Sequence, residues 1–105
     1  MRNSFTAVIE QSNTYSADFA TEPYETGWAS EARWFVRVLE IEGRLVTRPQ
    51  ISPDGLTWCE EGSIWLEFTD AGMQSFSLRD FGHWLRLQCE VQGRVKVLAY
   101  LALKE

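Results

Sequence analysis

Basic side chains are few in this chain and widely scattered. Ten Lys and Arg stand against fifteen Asp and Glu, for a net charge of -5. A nucleic-acid surface needs a clustered basic stripe, so DNA and RNA are not expected partners. His83 is the one histidine, which rules out a histidine metal cluster and leaves a hydrolytic triad without a placed nucleophile. The two cysteines, Cys59 and Cys89, lie too far apart in sequence for a close-spaced metal pair. Cys59 also precedes Glu60 and Glu61, whose charge disfavours a thiolate. No glycine-rich loop followed by lysine suggests a nucleotide site. No apolar stretch approaches membrane-spanning length, so no membrane association is expected. The opening Met1-Arg2-Asn3-Ser4-Phe5 lacks the apolar core of a signal peptide. The expectation is a cytoplasmic protein with two free, buried thiols and no cofactor, metal or catalytic activity. A Cys59–Cys89 disulfide stays open if the two lie on neighbouring strands.

Aromatic residues are plentiful: five Trp, six Phe and three Tyr in 105 residues. Each fills a large core volume. A chain of this length buries roughly two-thirds of its unfolded surface, enough for one core and one domain over residues 1–105. Acidity is uneven, with Glu10, Asp18, Glu22, Glu25 and Glu31 uninterrupted by any base. Acids this far apart read as a solvated segment.

Helical periodicity is weak and alternation with period two dominates. Leu85, Leu87, Cys89 and Val91 alternate with Trp84, Arg86, Gln88 and Glu90. Val95, Val97, Ala99, Leu101 and Leu103 do the same against Lys96, Leu98, Tyr100, Ala102 and Lys104. With Gln92-Gly93-Arg94 between them, the two runs predict a C-terminal hairpin with one face in the core. Trp34 to Glu42 predicts a central strand, apolar on both faces. Glu42-Gly43-Arg44 then turns into a strand over 45–51, whose Pro49 belongs at an edge or bulge. Further short strands are expected at Phe5–Glu10, Tyr15–Phe19, Thr57–Glu60, Ile64–Phe68 and Gln74–Leu78, and Glu31–Trp34 could form one turn of helix. Turn signals every 8–12 residues complete the pattern of an all-β, antiparallel β-sandwich of about eight strands.

Ser52-Pro53-Asp54-Gly55-Leu56-Thr57-Trp58 marks a tight corner, with Asp-Gly tolerating positive φ and Trp58 expected to pack beneath it in the core. Trp34-Phe35-Val36-Arg37-Val38, this corner, and Phe81-Gly82-His83-Trp84-Leu85-Arg86-Leu87 with a closing apolar strand resemble discoidin-type, galactose-binding-like jelly rolls. They also resemble small β-sandwich proteins of phage and prophage origin. The resemblance covers residues 34–104 and implies a jelly-roll-like sandwich used for binding or assembly. The chain is shorter than a usual discoidin-type domain and lacks cysteines at its two ends. The corner also resembles the sialidase Asp-box, which has one more residue between its Asp and Gly.

Two candidate sites follow. In the predicted hairpin, Trp84, Arg86, Leu98 and Tyr100 share the outward face, where cross-strand neighbours touch. Such a face is either covered by another segment or is a subunit or ligand surface. Tyr24 and Trp28 lie in the polar segment Thr21–Trp28, where aromatics suit sugar stacking, a protein hot spot, or a loop tucked onto the sandwich; Trp65 shares that ambiguity. Asp54 and Gly55 read as turn residues. Function is expected to be non-enzymatic: a structural, assembly or protein-interaction sandwich, a homo-oligomer or partner-binding protein, with virion association fitting the phage-type resemblance. The alternative is a small carbohydrate-binding module whose glycan stacks on the loop aromatics.

Overall fold

The computed structural model describes residues 4–62 and 64–105. All regular structure is antiparallel strand: β1 (Ser4–Tyr15), β2 (Phe19–Ala20), β3 (Tyr24–Glu25), β4 (Glu31–Ser52), β5 (Cys59–Glu60), β6 (Leu66–Phe68), β7 (Gly72–Arg79) and β8 (Trp84–Lys104). Glu31–Trp34 is strand, since the β-branched run beyond it carries the extended conformation back to Glu31.

The predicted C-terminal hairpin is absent. β8 continues for 21 residues and pairs along its whole length with the 22-residue β4. Neither Glu42-Gly43-Arg44 nor Gln92-Gly93-Arg94 turns the chain back. Gly43 and Gly93 instead face each other across the ladder, at φ +103° and +88°. A Cβ on Gly43 would strike the carbonyl of Gln92, and one on Gly93 the carbonyl of Glu42. Only glycine permits that backbone approach with positive φ. Flanking turn-like residues give a bent strand and a hairpin the same local signature, which is why the sequence pattern misled.

At this glycine pair the two-stranded ribbon folds over, and each long strand gives one arm to each of two layers. The first layer runs β1, the Val95–Lys104 arm of β8, the Glu31–Ile41 arm of β4, then β7. The second runs β2 and β3, the Trp84–Val91 arm of β8, the Leu45–Ser52 arm of β4, then β5 and β6. Counting the arms in chain order, with β2/β3 and β5/β6 each as one, the layers read 1-8-3-6 and 2-7-4-5. That is a jelly-roll-like β-sandwich.

Both arms of β8 keep odd-numbered residues inward, as the alternation predicts: Leu85, Leu87, Cys89, Val95, Val97, Ala99, Leu101 and Leu103 are buried. In β4 the inward set changes from even (Ala32, Trp34, Val36, Val38) to odd (Leu45, Thr47, Pro49). Leu39 is the extra residue, sitting in a bulge between Val38 and Glu40. Without it, the second arm would present the opposite side chains to the core. Residues of both arms join Leu66, Phe68, Phe76 and Leu78 in one cluster. Each fully buried large apolar side chain there contributes roughly 1.5–3 kcal/mol.

Pro49 sits in a central strand, yet its missing N–H costs nothing. Its carbonyl accepts from Glu61 N at 3.1 Å, so its peptide faces the gap between β5 and β6 rather than β8. β1 is regular to Val8, then shifts register twice, with Ser12 at φ +58°. The shifts carry Glu10 inward, where Tyr15 Oη at 2.8 Å and Asn13 Nδ2 at 3.0 Å donate to its carboxylate.

Candidate functional site

The expected Trp84, Arg86, Leu98 and Tyr100 patch divides in two. All four residues do point away from the core, but β8 bends between the pairs, so they lie on opposite faces of the sandwich. Their cross-strand neighbours come from β4: Ser52 beside Trp84, Gln50 beside Arg86, Arg37 beside Leu98 and Phe35 beside Tyr100.

The Trp84–Arg86 half is covered by the Ser52–Trp58 corner. Arg86 Nε donates to Gln50 Oε1 at 2.7 Å, and its guanidinium lies 4.3 Å from the centroid of the Trp58 ring. A Cβ on Gly55 would meet the Trp84 indole at 3.1 Å, so that glycine lies flat on the ring. Trp58 therefore stacks on the outer face instead of packing in the core, because the corner folds outward over the sheet. Within the corner, Asp54 Oδ1 accepts from Leu56 N and Thr57 N, both at 2.9 Å, and from Ser52 Oγ at 3.0 Å. Hydrogen bonds from the Thr57 and Leu56 amides, then Ser52, hold the Asp54 carboxyl below its ordinary pKa. Asp54 and Gly55 are structural turn residues, as read from the sequence.

The Leu98–Tyr100 half lies on the outer face of the first layer, with both residues half-buried. Rows of paired residues cross the first layer, and one runs Val8, Tyr100, Phe35, Ser75. The next places Leu98 beside Arg37 and Met73. Val8 is 48% exposed and Met73 60%, while Phe35, Leu98 and Tyr100 are half-buried. This apolar strip, bordered by Arg33 and interrupted by Arg37 between Leu98 and Met73, extends the Leu98–Tyr100 pair with three residues the sequence reading missed. Val8, Phe35 and Met73 come from three other strands, so only the strand order reveals them.

Tyr24 and Trp28 sit near each other on the side of the sandwich, joined by Phe5. Tyr24 stacks on Phe5 with centroids 6.5 Å apart and planes 19° from parallel. With Ser4 the three aromatics line an open hollow of about 420 Å³. The loop behind them is fixed: Thr26 is fully buried, and its N and Oγ1 both donate to the His83 carbonyl, at 2.6 and 3.1 Å. Trp65 is 62% exposed in the β5–β6 connection.

Neither cysteine is bonded. Cys89 is buried and Cys59 is exposed, contrary to the expectation of two buried thiols. They pair with β4 from opposite sides, so a whole strand separates them. Burial pushes the Cys89 thiol well above its ordinary range, with Glu10 and then Asp18 adding to the effect. It is a core residue, inert as a nucleophile. Among the described residues no group of three or more His, Cys, Asp or Glu is placed to hold a metal. No helix is long and apolar enough to cross a membrane.

No protein-family model matches the chain, and no curated protein matches it in sequence. Solved structures do match in shape. A Bacillus endospore appendage protein, from a novel family of disulfide-linked pili, aligns over 99% of this chain and 84% of its own, with TM-score 0.60 and 12% identity. The SPBc2 prophage-derived protein YomS aligns over 97% and 95%, with TM-score 0.57 and 9% identity. The PBSX exported protein XepA matches 98% of this chain, which spans about a third of that protein (36%), with TM-score 0.58 and 7% identity. At these identities the likeness is one of fold: the chain has the sandwich of pilus and prophage proteins, and the discoidin-type resemblance gains nothing from the comparison.

Proposed function

We propose that this protein is a non-enzymatic structural subunit that self-associates through its first layer. The observation that carries the reading is the strip of Val8, Phe35, Met73, Leu98 and Tyr100 on the outer face of the first layer, exposed at Val8 and Met73. The outer face of the other layer is overlaid by a corner of the same chain, so a covering was available and only one face received it. A monomer gains nothing from leaving such a strip in water. The pilus and prophage proteins that share the fold support the reading, and virion or appendage association fits it. A second copy is the favoured partner, because the strip lies between arginines in an acidic chain whose other surfaces carry the compensating charge. Light scattering over a range of concentration and salt tests the proposal. Wild-type chain should exceed the mass of one chain, and Tyr100→Glu should lower that mass with its fold intact. An unchanged particle mass in the variant would refute the role of this face.

A second reading, a small carbohydrate-binding module, rests on the Phe5, Tyr24 and Trp28 hollow, whose open aromatic faces suit a sugar ring. Trp28→Ala should then abolish retention on a glycan array while leaving the melting temperature unchanged. Equal retention of variant and wild type would remove this reading.

A further inference from the structure

Resting on the self-assembly reading, we infer that copies join edge to edge through the first layer, β7 of one pairing with β1 of the next. Most of each edge of this layer is unguarded. Among the described residues β1 is paired only with β8, and β7 only with β4. From Ser4 to Ile9 and from Gly72 to Leu78 there is no charged residue and no proline. Natural sandwiches blunt free edges with charge, proline, bulges or short strands, because unpaired N–H and C=O groups template another strand. The second layer does so on both sides. β2, β3, β5 and β6 have two or three residues each, with Glu22, Pro23, Glu25, Glu60, Glu61 and Glu67 on or beside them. Half of β1 is guarded too, by the register shifts around Ser12. The exposed stretch is therefore Ser4–Val8.

Three features make a second copy the occupant. The rows of the sheet set Ser4–Val8 level with Ser75–Arg79: Ala7, Leu101, Trp34 and Phe76 share one row, and Thr6, Ala102, Arg33 and Ser77 another. A neighbour in the same row register meets five residues with five, Ser4 falling opposite Arg79 at one end, and inward side chains remain inward. The layer also has an even number of alternating strands, so β7 and the next copy's β1 are antiparallel without rotating the copy. Finally, each molecule carries both edges. Joining them satisfies both, and the unlike edges make a heterologous, open-ended contact that lines up the apolar strips of successive copies.

Two blocked full-length variants test this. Ser4→Lys with Thr6→Lys blocks β1, and Ser75→Glu with Ser77→Glu blocks β7; all four side chains are exposed, and circular dichroism checks the fold. Each variant alone should run as a single chain, its half-assembly concentration raised at least tenfold. A 1:1 mixture should give heterodimers, joining the intact β7 of one to the intact β1 of the other. If the β7-blocked variant dimerises alone, β1 pairs with itself and the head-to-tail scheme is overturned. If both variants assemble like wild type, the edges are not used although self-assembly stands. A wild-type monomer at every concentration would remove the assembly reading itself. Hydrogen exchange on the wild-type chain is independent of the variants: amides in Ser4–Val8 and Gly72–Arg79 should both gain protection with concentration, and loss of that gain in either segment overturns the pairing.

Discussion

The two layers share β4 and β8 yet treat their outer surfaces in opposite ways. The second layer is closed. Its edges are short and acidic, its outer face lies under the Ser52–Trp58 corner, and Arg48 bridges Glu60 at 3.3 Å and Glu90 at 2.9 Å across three strands. The first layer is open along β7, along the start of β1, and over the strip between them. One chain thus carries a surface finished for water beside one that is not. Burial within the chain is thus one way to account for an apolar face, as in the second layer; contact with a second copy, as proposed for the first, is another.

The most damaging change would remove the division itself. Gly93→Ala places a Cβ against the Glu42 carbonyl at a positive φ. The expected loss is about 3 kcal/mol or more in denaturant unfolding, felt by both layers because the bend seats them on one core. Next comes Tyr15→Phe, which leaves the buried Glu10 carboxylate with Asn13 as its remaining side-chain donor. A loss of about 1–3 kcal/mol is expected, again by chemical denaturation. Trp58→Ala uncovers Trp84 and Arg86. It should cost about 1 kcal/mol and leave the particle mass unchanged, whereas Tyr100→Glu should alter the mass. If both substitutions move the mass alike, the contrast between the layers fails. The smallest effect is with pH. The Asp54 carboxyl has a lower pKa folded than unfolded, so its contribution is present above the unfolded value of about 3.9 and is lost as pH falls through the folded value. The protection of the Leu56 and Thr57 amides, relative to their intrinsic exchange, should fall over that acid range in wild type, and already be low at neutral pH in Asp54→Ala.

Much of this was legible in the residues. The alternation from Leu85 to Leu103 marked the inward face of β8 correctly, and Ser52-Pro53-Asp54-Gly55 marked a corner. Tyr24 and Trp28 line one hollow, but Phe5, which lines it with them, lies far away in sequence. The two central glycines were misread because local chemistry specifies positive φ but not whether the chain returns on itself. Only long-range pairing with β4 settles that. Trp84, Arg86, Leu98 and Tyr100 were therefore grouped across a hairpin that does not exist. Trp58 was misplaced for a related reason: a large aromatic after a turn is equally at home beneath a sheet or upon it.

The bulge at Leu39 gives β4 a phase. Upstream of it the core reads the even residues, downstream the odd ones, and the switch occupies a single position. Losing one residue there would leave every amino acid downstream unchanged and yet turn an arm of the sandwich inside out, sending Thr47 and Pro49 to solvent and Arg44 and Arg48 to the core. Substitutions along that arm are judged one side chain at a time; at Leu39 the chain length itself is what the fold reads.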